Sequence, residues 1–175
     1  HVKEIRIEKR KLFWTIKLLQ ISKIEFLSSV FDSESISFLE KKLKIKKIKI
    51  PSGEITNFLL LKNLNLMKYN IILSTGMSNM REIINSIHLI AKKDIYEIKN
   101  NIISIINYKE LSKIKKKLTV MHCVTDYPVE DKYSNLECIN SLQKDLKLDI
   151  GYSDHTRGVI APLIAVSKGA KLIEK

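Results

Sequence analysis

Short apolar runs recur along the chain, and each of them leads directly into polar side chains. The runs are rich in Ile, Val and Leu, which is typical of strands that are buried on both faces of a parallel sheet. The residues that follow them are mainly Ser, Thr, Gly and His. Five such runs and the start of a sixth occur, at 23–31, 45–54, 69–77, 117–125, 148–156 and 170–175.

Amphipathic segments with the period of a helix occupy the intervals between the runs. The interval before the fourth run is longer than the others, and its extra residues, around 91–116, are predicted to form a further helical excursion. Alternation of strands and helices indicates a parallel α/β protein. The predicted helices are 8–20, 32–43 with Asp32 as N-cap, 78–91 starting on Ser78, and 157–169 closing at Gly169.

The polar clusters all lie at the carboxyl ends of the predicted strands, which share one edge in a parallel sheet. Polar residues at every strand end favour a (β/α)8 TIM barrel, because a doubly wound sheet concentrates its binding residues at one crevice. No dinucleotide-binding glycine motif and no P-loop follows any of the runs. The pattern therefore predicts an α/β barrel with a site at its carboxyl-terminal mouth.

Composition adds a strong positive charge, with 31 Lys and Arg against 19 Asp and Glu and a net charge of +12. A nucleic-acid-binding or structural domain is the non-enzymatic alternative that this charge raises. The lysines are spread along the whole chain without aromatic RNA-binding motifs or zinc-finger spacing, which favours a solvated lysine surface. No apolar stretch is long enough to span a membrane and no signal peptide opens the chain, so a cytoplasmic location is expected.

Hydroxyl, amine and backbone N–H donors converge on the expected mouth, and such donors are how proteins hold a phosphate group. Lys49 lies three residues before Ser52, so its amine is expected to reach the barrel interior. Gly53 and Gly76 allow backbone N–H groups to approach a ligand closely. The candidate hydroxyl donors are Ser29, Ser52, Ser74 and Ser153.

Carboxylate and imidazole groups follow the same strands, and they are candidate metal ligands or acid–base groups. Each has a simpler structural explanation when it is taken alone. His122 lies inside a strand, where a packed histidine is favoured over a ligand, and Lys49 belongs to a lysine-rich run. Only their convergence on one edge favours a site. The candidates are Glu54, His122, Asp154 and His155.

Several linked motifs resemble those of the sialic acid synthase family, which includes N-acetylneuraminate synthases and their legionaminic acid relatives. A pseudaminic acid synthase is less favoured, because that branch tends to carry Phe where Gly53 stands and Lys where His122 stands. The resemblance covers about residues 24–175. Its motifs are "FLSSVFD" (26–32), "KIPSGEITN" (49–57), "IILSTGM" (71–77), "HCVTDYP" (122–128), "GYSDHT" (151–156) and "KGAKLIEK" (168–175).

The resemblance implies a metal-dependent condensation of phosphoenolpyruvate with N-acetylmannosamine that releases phosphate by C–O cleavage. The alternative is a legionaminic acid synthase, or another ulosonic acid synthase that uses a different aldose. Mn²⁺ is the implied metal, with Mg²⁺ or Co²⁺ as alternatives. The family also implies a homodimer, with no nucleic acid and no membrane as partner.

The family's functional residues transfer to this sequence by motif. Glu54 would bind the sugar and handle a proton near its aldehyde, and Tyr127 would line the sugar pocket. His155 would be a metal ligand, and Asp154 would orient that imidazole or touch substrate. The residues implied to hold phosphoenolpyruvate are Ser29, Lys49, Ser52, Ser74 and Ser153.

The resemblance also implies that residues 1–175 are a partial barrel, containing strands three to eight of eight. The family's first two strands and its C-terminal antifreeze-like domain have no counterpart here. The first residue is His1 and not Met, which indicates a chain that begins inside a longer reading frame. A second metal-binding histidine is expected directly after Lys175.

Overall fold

The computed structural model describes residues 14–16, 18, 19 and 21–175 of the chain. The predicted helix 8–20 lies largely outside the described residues, and its described part is helical. Strands β1 to β8 are Ser28–Ser29, Lys47–Ile50, Asn70–Ser74, Tyr96–Lys99, Ile102–Ile105, Leu118–Cys123, Asp149–Ser153 and Ile173–Glu174. Helices α1 to α6 are Ser33–Leu43, Phe58–Asn63, Met80–Ala91, Tyr108–Ile114, Glu137–Leu146 and Ile160–Ser167.

The main sheet contains six parallel strands in the order β1-β2-β3-β6-β7-β8. This order never reverses along the chain. A doubly wound sheet has a point at which the strand order reverses, whereas a barrel adds each strand beside the previous one. The six apolar runs are therefore confirmed as strands, and their order is that of consecutive strands of a barrel.

The two faces of the sheet have different neighbours. Ile50, Leu73, Val120 and Ile150 lie in one row across four strands, and all four are fully buried in the core against the helices. The alternate residues point away from the helices because side chains alternate along a strand. That second face carries Lys49 and leads to the strand ends.

A contact between β2 and β8 shows how strongly the sheet curls. These strands are four steps apart in the sheet order, which would separate them by about 19 Å in a flat sheet. The Nζ of Lys49 on β2 nevertheless contacts a carboxylate oxygen of Glu174 on β8. The sheet must curve for these side chains to meet, so it forms part of a barrel wall with its helices outside.

Local capping explains where the helices begin and end. Asp32 caps α1 as predicted, because its carboxylate accepts a hydrogen bond from the backbone N–H of Ser35 at 2.6 Å. The prediction of Ser78 as the start of α3 is wrong by one residue, since Asn79 is the N-cap and forms a reciprocal capping box with Glu82. Within the described residues no helix is long and apolar enough to cross a membrane.

The excursion around 91–116 differs from the prediction. Its first part is an antiparallel hairpin of β4 and β5, and only its last part, α4, is helical. Asn100 and Asn101 form the turn with positive φ, which asparagine tolerates and which two-residue hairpins require. The hairpin is fixed to the body of the protein through Tyr96, whose hydroxyl donates to the carbonyl of Leu146 at 2.8 Å.

A half-buried histidine under this hairpin predicts a pH-dependent stability. The Nε2 atom of His88 accepts the backbone N–H of Tyr96 at 3.0 Å, which requires that nitrogen to be unprotonated. Burial lowers the pKa of His88 below its ordinary value of 6.5, and Asp94 opposes this shift only in part. As the pH falls, the unfolded chain takes up the proton on His88 before the folded protein does. The stability that the neutral His88 gives the folded protein is therefore complete above about pH 6.5 and is lost as the pH falls below it.

We expect the melting temperature of the whole protein to fall between about pH 7.5 and 5.5, and to fall less in His88→Gln. Glutamine keeps an acceptor for the Tyr96 N–H but does not titrate. His122 and His155, whose pKa values are also lowered by burial, are present in both proteins and cancel in the comparison. Thermal melts across this pH range measure the effect. The same change of melting temperature with pH in the wild type and in His88→Gln would contradict it.

Candidate active site

The strand ends bring several of the predicted residues together on the concave face of the sheet. Ser29 pairs with Lys49, Cys123 pairs with Ser153, and Ser153 pairs with Glu174. Laterally paired residues of a sheet point to the same side. The Lys49–Glu174 contact then joins β2 to β8 across the mouth.

Glu174 is the centre of the hydrogen-bond network at the mouth. One of its carboxylate oxygens contacts Lys49 Nζ, and the other accepts a hydrogen bond from Ser153 Oγ at 2.6 Å. The same Ser153 Oγ lies 3.3 Å from Nε2 of His155. Three strand residues and His155, which lies just beyond β7, are therefore linked in one network.

The charges of this network follow from its contacts. Burial raises the pKa of Glu174, but the hydrogen bonds from Lys49 and Ser153 outweigh it, and the net pKa is lowered. Burial lowers the pKa of His155, and the nearby Glu174 opposes this in part. The contacts therefore favour the ionised carboxylate of Glu174, and burial favours the neutral imidazole of His155.

Tyr127 covers the imidazole from the solvent side. Its ring centroid lies 4.2 Å from that of His155, with the ring planes tilted by 42°. The backbone supports this arrangement, because Val129 donates to the carbonyl of His155 at 2.9 Å. The ring of Tyr127 is 69% exposed, so it is available to a ligand that enters the mouth.

A second group of small residues surrounds Gly76 where β3 ends. Its backbone N–H donates to Sγ of Cys123 at 3.1 Å, and the hydroxyl of Ser52 also bonds that thiol. A Cβ atom at Gly76 would lie 2.3 Å from Oγ1 of Thr125 and 2.8 Å from Sγ of Cys123. Only glycine fits there, so the backbone comes as close to the mouth as the sequence predicted.

Ser74 has a buried hydroxyl without a partner. Its side chain is 2% exposed, and Oγ has no hydrogen-bond partner among the described residues. A buried hydroxyl without a partner costs about 1–3 kcal/mol. An anionic ligand in the mouth would supply the missing acceptor.

Two predicted residues lie at the margin of this network. Glu54 lies in the short 3-10 turn Ser52–Glu54, where its carboxylate accepts from Nδ2 of Asn57 at 2.7 Å. Ser29 is half-buried in β1, in register with Lys49. Their contact with a substrate stays a prediction.

Asp154 lies on the other side of its strand from Ser153 and His155. Its fully buried carboxylate pairs with Lys175 Nζ and accepts the backbone N–H of Thr156 at 2.9 Å. Burial opposes ionisation, but these bonds lower its net pKa. The carboxylate therefore does not orient the His155 imidazole as expected, since alternation along the strand turns it away. A catalytic role for Asp154 stays a prediction.

His122 also points away from the mouth. Its Nε2 lies 2.8 Å from the carbonyl oxygen of Ser134, and its ring stacks on Tyr152 with centroids 5.7 Å apart. Burial lowers its pKa. The interpretation of His122 as a packed histidine is thus the one that the structure favours.

The described residues supply only part of a metal site. His155 and Glu174 contact the same hydroxyl of Ser153, so one imidazole and one carboxylate lie close together. No group of three or more His, Cys, Asp or Glu side chains in the described part of the chain is placed to hold a metal ion. Catalytic metal sites usually have three protein ligands. His155 as a ligand fits this partial donor set and stays a prediction.

Glu174 and Cys123 have central positions for which sequence reasoning proposed no role. Glu174 ends the last apolar run, and its register opposite Ser153 places it on the mouth side. Cys123 is two residues before Thr125 and pairs with Ser153. The available signal was alternation: side chains in register with a predicted site residue share its face.

Comparison with known proteins agrees with this architecture. A profile of the NeuB family matches residues 1–175. The solved N-acetylneuraminic acid (sialic acid) synthetase of Leptospira borgpetersenii superposes with a TM-score of 0.78 at 28% identity, over 97% of this chain and 52% of that one. Six parallel strands of this chain therefore form an incomplete TIM barrel, as predicted.

Two legionaminic acid synthases are similar in sequence. The N,N'-diacetyllegionaminic acid synthase of Campylobacter jejuni is 41% identical over 152 residues, which are 87% of this chain and 40% of that protein. The enzyme of the same name from Legionella pneumophila is 37% identical, over 87% of this chain and 38% of its own length. The chain therefore spans about two fifths of these relatives.

Proposed function

The chain belongs to the NeuB family, and from that premise we propose that the whole protein condenses phosphoenolpyruvate with an N-acetylated amino sugar to form a nonulosonic acid and phosphate. The observation that carries the proposal is the Lys49–Glu174–Ser153 network beside the unpartnered hydroxyl of Ser74. An ammonium group and hydroxyl donors at one barrel mouth suit a phosphorylated carboxylic acid.

In the proposed reaction, C3 of phosphoenolpyruvate forms a bond to the aldehyde carbon of the open-chain sugar. Water adds at C2, the C2–O bond breaks, and the bridging oxygen leaves with phosphate. A divalent metal, when bound, would polarise the aldehyde as a Lewis acid. We assign phosphate binding to Lys49 and the neighbouring serine hydroxyls, whose charge and donors complement the phosphate oxygens.

Glu174 has a second part in this proposal. The phosphate of a bound substrate would compete with Glu174 for Lys49 and for the hydroxyl of Ser153. A carboxylate freed from these partners regains basicity, because the hydrogen bonds that lower its pKa are then lost. Glu174 is therefore placed to accept a proton from the water that adds at C2. Glu54 is the second proposed proton-handling group, on the sugar side.

We propose the diacetylated diamino sugar that precedes N,N'-diacetyllegionaminic acid as the second substrate. The sequence resemblance favoured N-acetylmannosamine, but the relatives that are 41% and 37% identical carry the legionaminic name. N-acetylmannosamine remains the second candidate because of the similarity to the sialic acid synthetase structure.

An assay of the whole protein tests both statements. With phosphoenolpyruvate and Mn²⁺, we expect phosphate release to depend on added sugar, with kcat/KM at least about tenfold higher for the diacetylated sugar than for N-acetylmannosamine. Phosphoenolpyruvate labelled with ¹⁸O at the bridging position should deliver the label to phosphate. No sugar-dependent phosphate release with either sugar would refute the proposed activity, and a preference for N-acetylmannosamine would refute the proposed substrate.

A further inference from the structure

A groove lies between helices α2 and α3, on the outer face of the protein. It has a volume of about 810 Å³ and combines apolar with cationic side chains. Phe58 and Leu89 supply the apolar surface, and the Phe58 ring is 52% exposed. The cationic side chains are Lys62, Lys92 and Lys93.

The groove is distinct from the candidate active site. In a β/α unit the helix runs back from the end of one strand to the start of the next, so its C-terminus lies at the sheet edge opposite the mouth. Lys62 is in the last turn of α2, and Lys92 is the C-cap of α3. The lysine end of the groove therefore lies at the opposite edge from Lys49 and Glu174.

Lys62, Lys92 and Lys93 are exposed lysines, and they share the groove with one acidic side chain, Asp94. Lys92 Nζ donates to the carbonyl oxygen of Lys62, while Lys62 Nζ lies 5.7 Å from the centre of the Phe58 ring. Burial and the charge of Lys62 lower the pKa of Lys92, so the two ammonium groups repel each other. Among the described residues no carboxylate is within salt-bridge distance of these ammonium groups, and Asp94 faces His88 instead, at 3.4 Å.

Helix capping explains the position of only one of the three lysines. Cations near a helix C-terminus interact favourably with its dipole, and the bond from Lys92 to the Lys62 carbonyl is such an interaction. It does not explain the approach of Lys62 and Lys93 to the same groove, or the half-exposed aromatic ring beside them.

We propose that this groove binds an organic phosphate, with the phosphate oxygens between Lys62, Lys92 and Lys93 and the apolar or aromatic part of the molecule against Phe58 and Leu89. An anion there would relieve the repulsion between the ammonium groups. A ring would gain contact area on a side chain that is otherwise exposed to water.

Calorimetric titration of the whole protein tests this, with ATP and inorganic pyrophosphate as probes. We expect Lys62→Gln/Lys92→Gln to weaken ATP binding at least about tenfold, since two charge-assisted contacts are removed. The matched control is Lys115→Gln/Lys116→Gln, which removes the same charge from two exposed lysines outside the groove. Turnover of phosphoenolpyruvate should be unchanged in both variants.

Phe58→Ala distinguishes binding of the ligand's apolar part from binding of its phosphate part. We expect it to weaken ATP binding and to leave pyrophosphate binding unchanged, because only ATP carries a ring. Absence of saturable ATP binding, or an equal loss in the groove variant and its lysine control, would overturn the site. Unchanged ATP binding in Phe58→Ala would overturn the apolar part of the assignment.

Discussion

Replacing Glu174 by Gln in the whole protein is expected to lower kcat about 100-fold without raising KM for phosphoenolpyruvate. Glutamine has the same shape and keeps a hydrogen-bond acceptor for Ser153, but it removes the negative charge and the proton acceptor. Lys49 would then lose its resident counter-ion. A substrate phosphate would no longer compete for that lysine, so ground-state binding should be maintained while the chemical step slows.

Lys49→Gln is the informative partner of this variant. Loss of the ammonium group is expected to raise KM for phosphoenolpyruvate, because the phosphate loses its cationic partner. The two substitutions should therefore act on different kinetic constants although the two side chains touch. Steady-state kinetics with phosphoenolpyruvate varied at saturating sugar measure both.

The matched control is Glu137→Gln, which removes a carboxylate from the exposed Glu137–Lys168 pair. Solvent screens this ion pair, and it lies outside the mouth, so this variant should keep wild-type kinetics. A Glu174→Gln enzyme with unchanged kcat would remove Glu174 from the reaction. A raised KM with unchanged kcat would make it a binding residue only.

Much of the fold could be predicted because it depends on local pattern. Runs of Ile, Val and Leu mark buried strands wherever they occur, and Asp32 caps α1 through a bond that reaches only to Ser35. The first part of the excursion around 91–116 was predicted incorrectly as helical because its composition suits either a helix or a β-hairpin. The two adjacent asparagines, which form the hairpin turn with positive φ, were the signal for β4 and β5.

A site residue could be predicted only where its own place in the sequence, such as the end of an apolar run, indicates a role. Ser153 and His155 were identified because they follow a strand, and both face the mouth network. Glu174 was missed because its importance comes from Lys49, which lies 125 residues away and four strand steps across the sheet. Asp154 was expected to orient the His155 imidazole or to touch substrate, and only alternation along the strand indicates that it lies opposite both of its neighbours.

We propose His155 as a metal ligand, so His155→Ala is expected to raise the Mn²⁺ concentration for half-maximal activity by about tenfold or more. Burial lowers the pKa of His155, although Glu174 opposes this in part, and the neutral form that burial favours is the form that binds metals. A titration of free Mn²⁺ by electron paramagnetic resonance gives the affinity directly, without relying on turnover.

His122→Asn is the matched control, because it removes the imidazole that is stacked on Tyr152 on the other face of the sheet. That variant should lower the melting temperature and leave Mn²⁺ affinity unchanged. Unchanged Mn²⁺ affinity in His155→Ala, together with reduced kcat, would exclude the metal and leave His155 as a polar group of the Ser153–Glu174 network. Reduced Mn²⁺ affinity in His155→Ala, with unchanged affinity in His122→Asn, would instead assign the His155 imidazole to the metal.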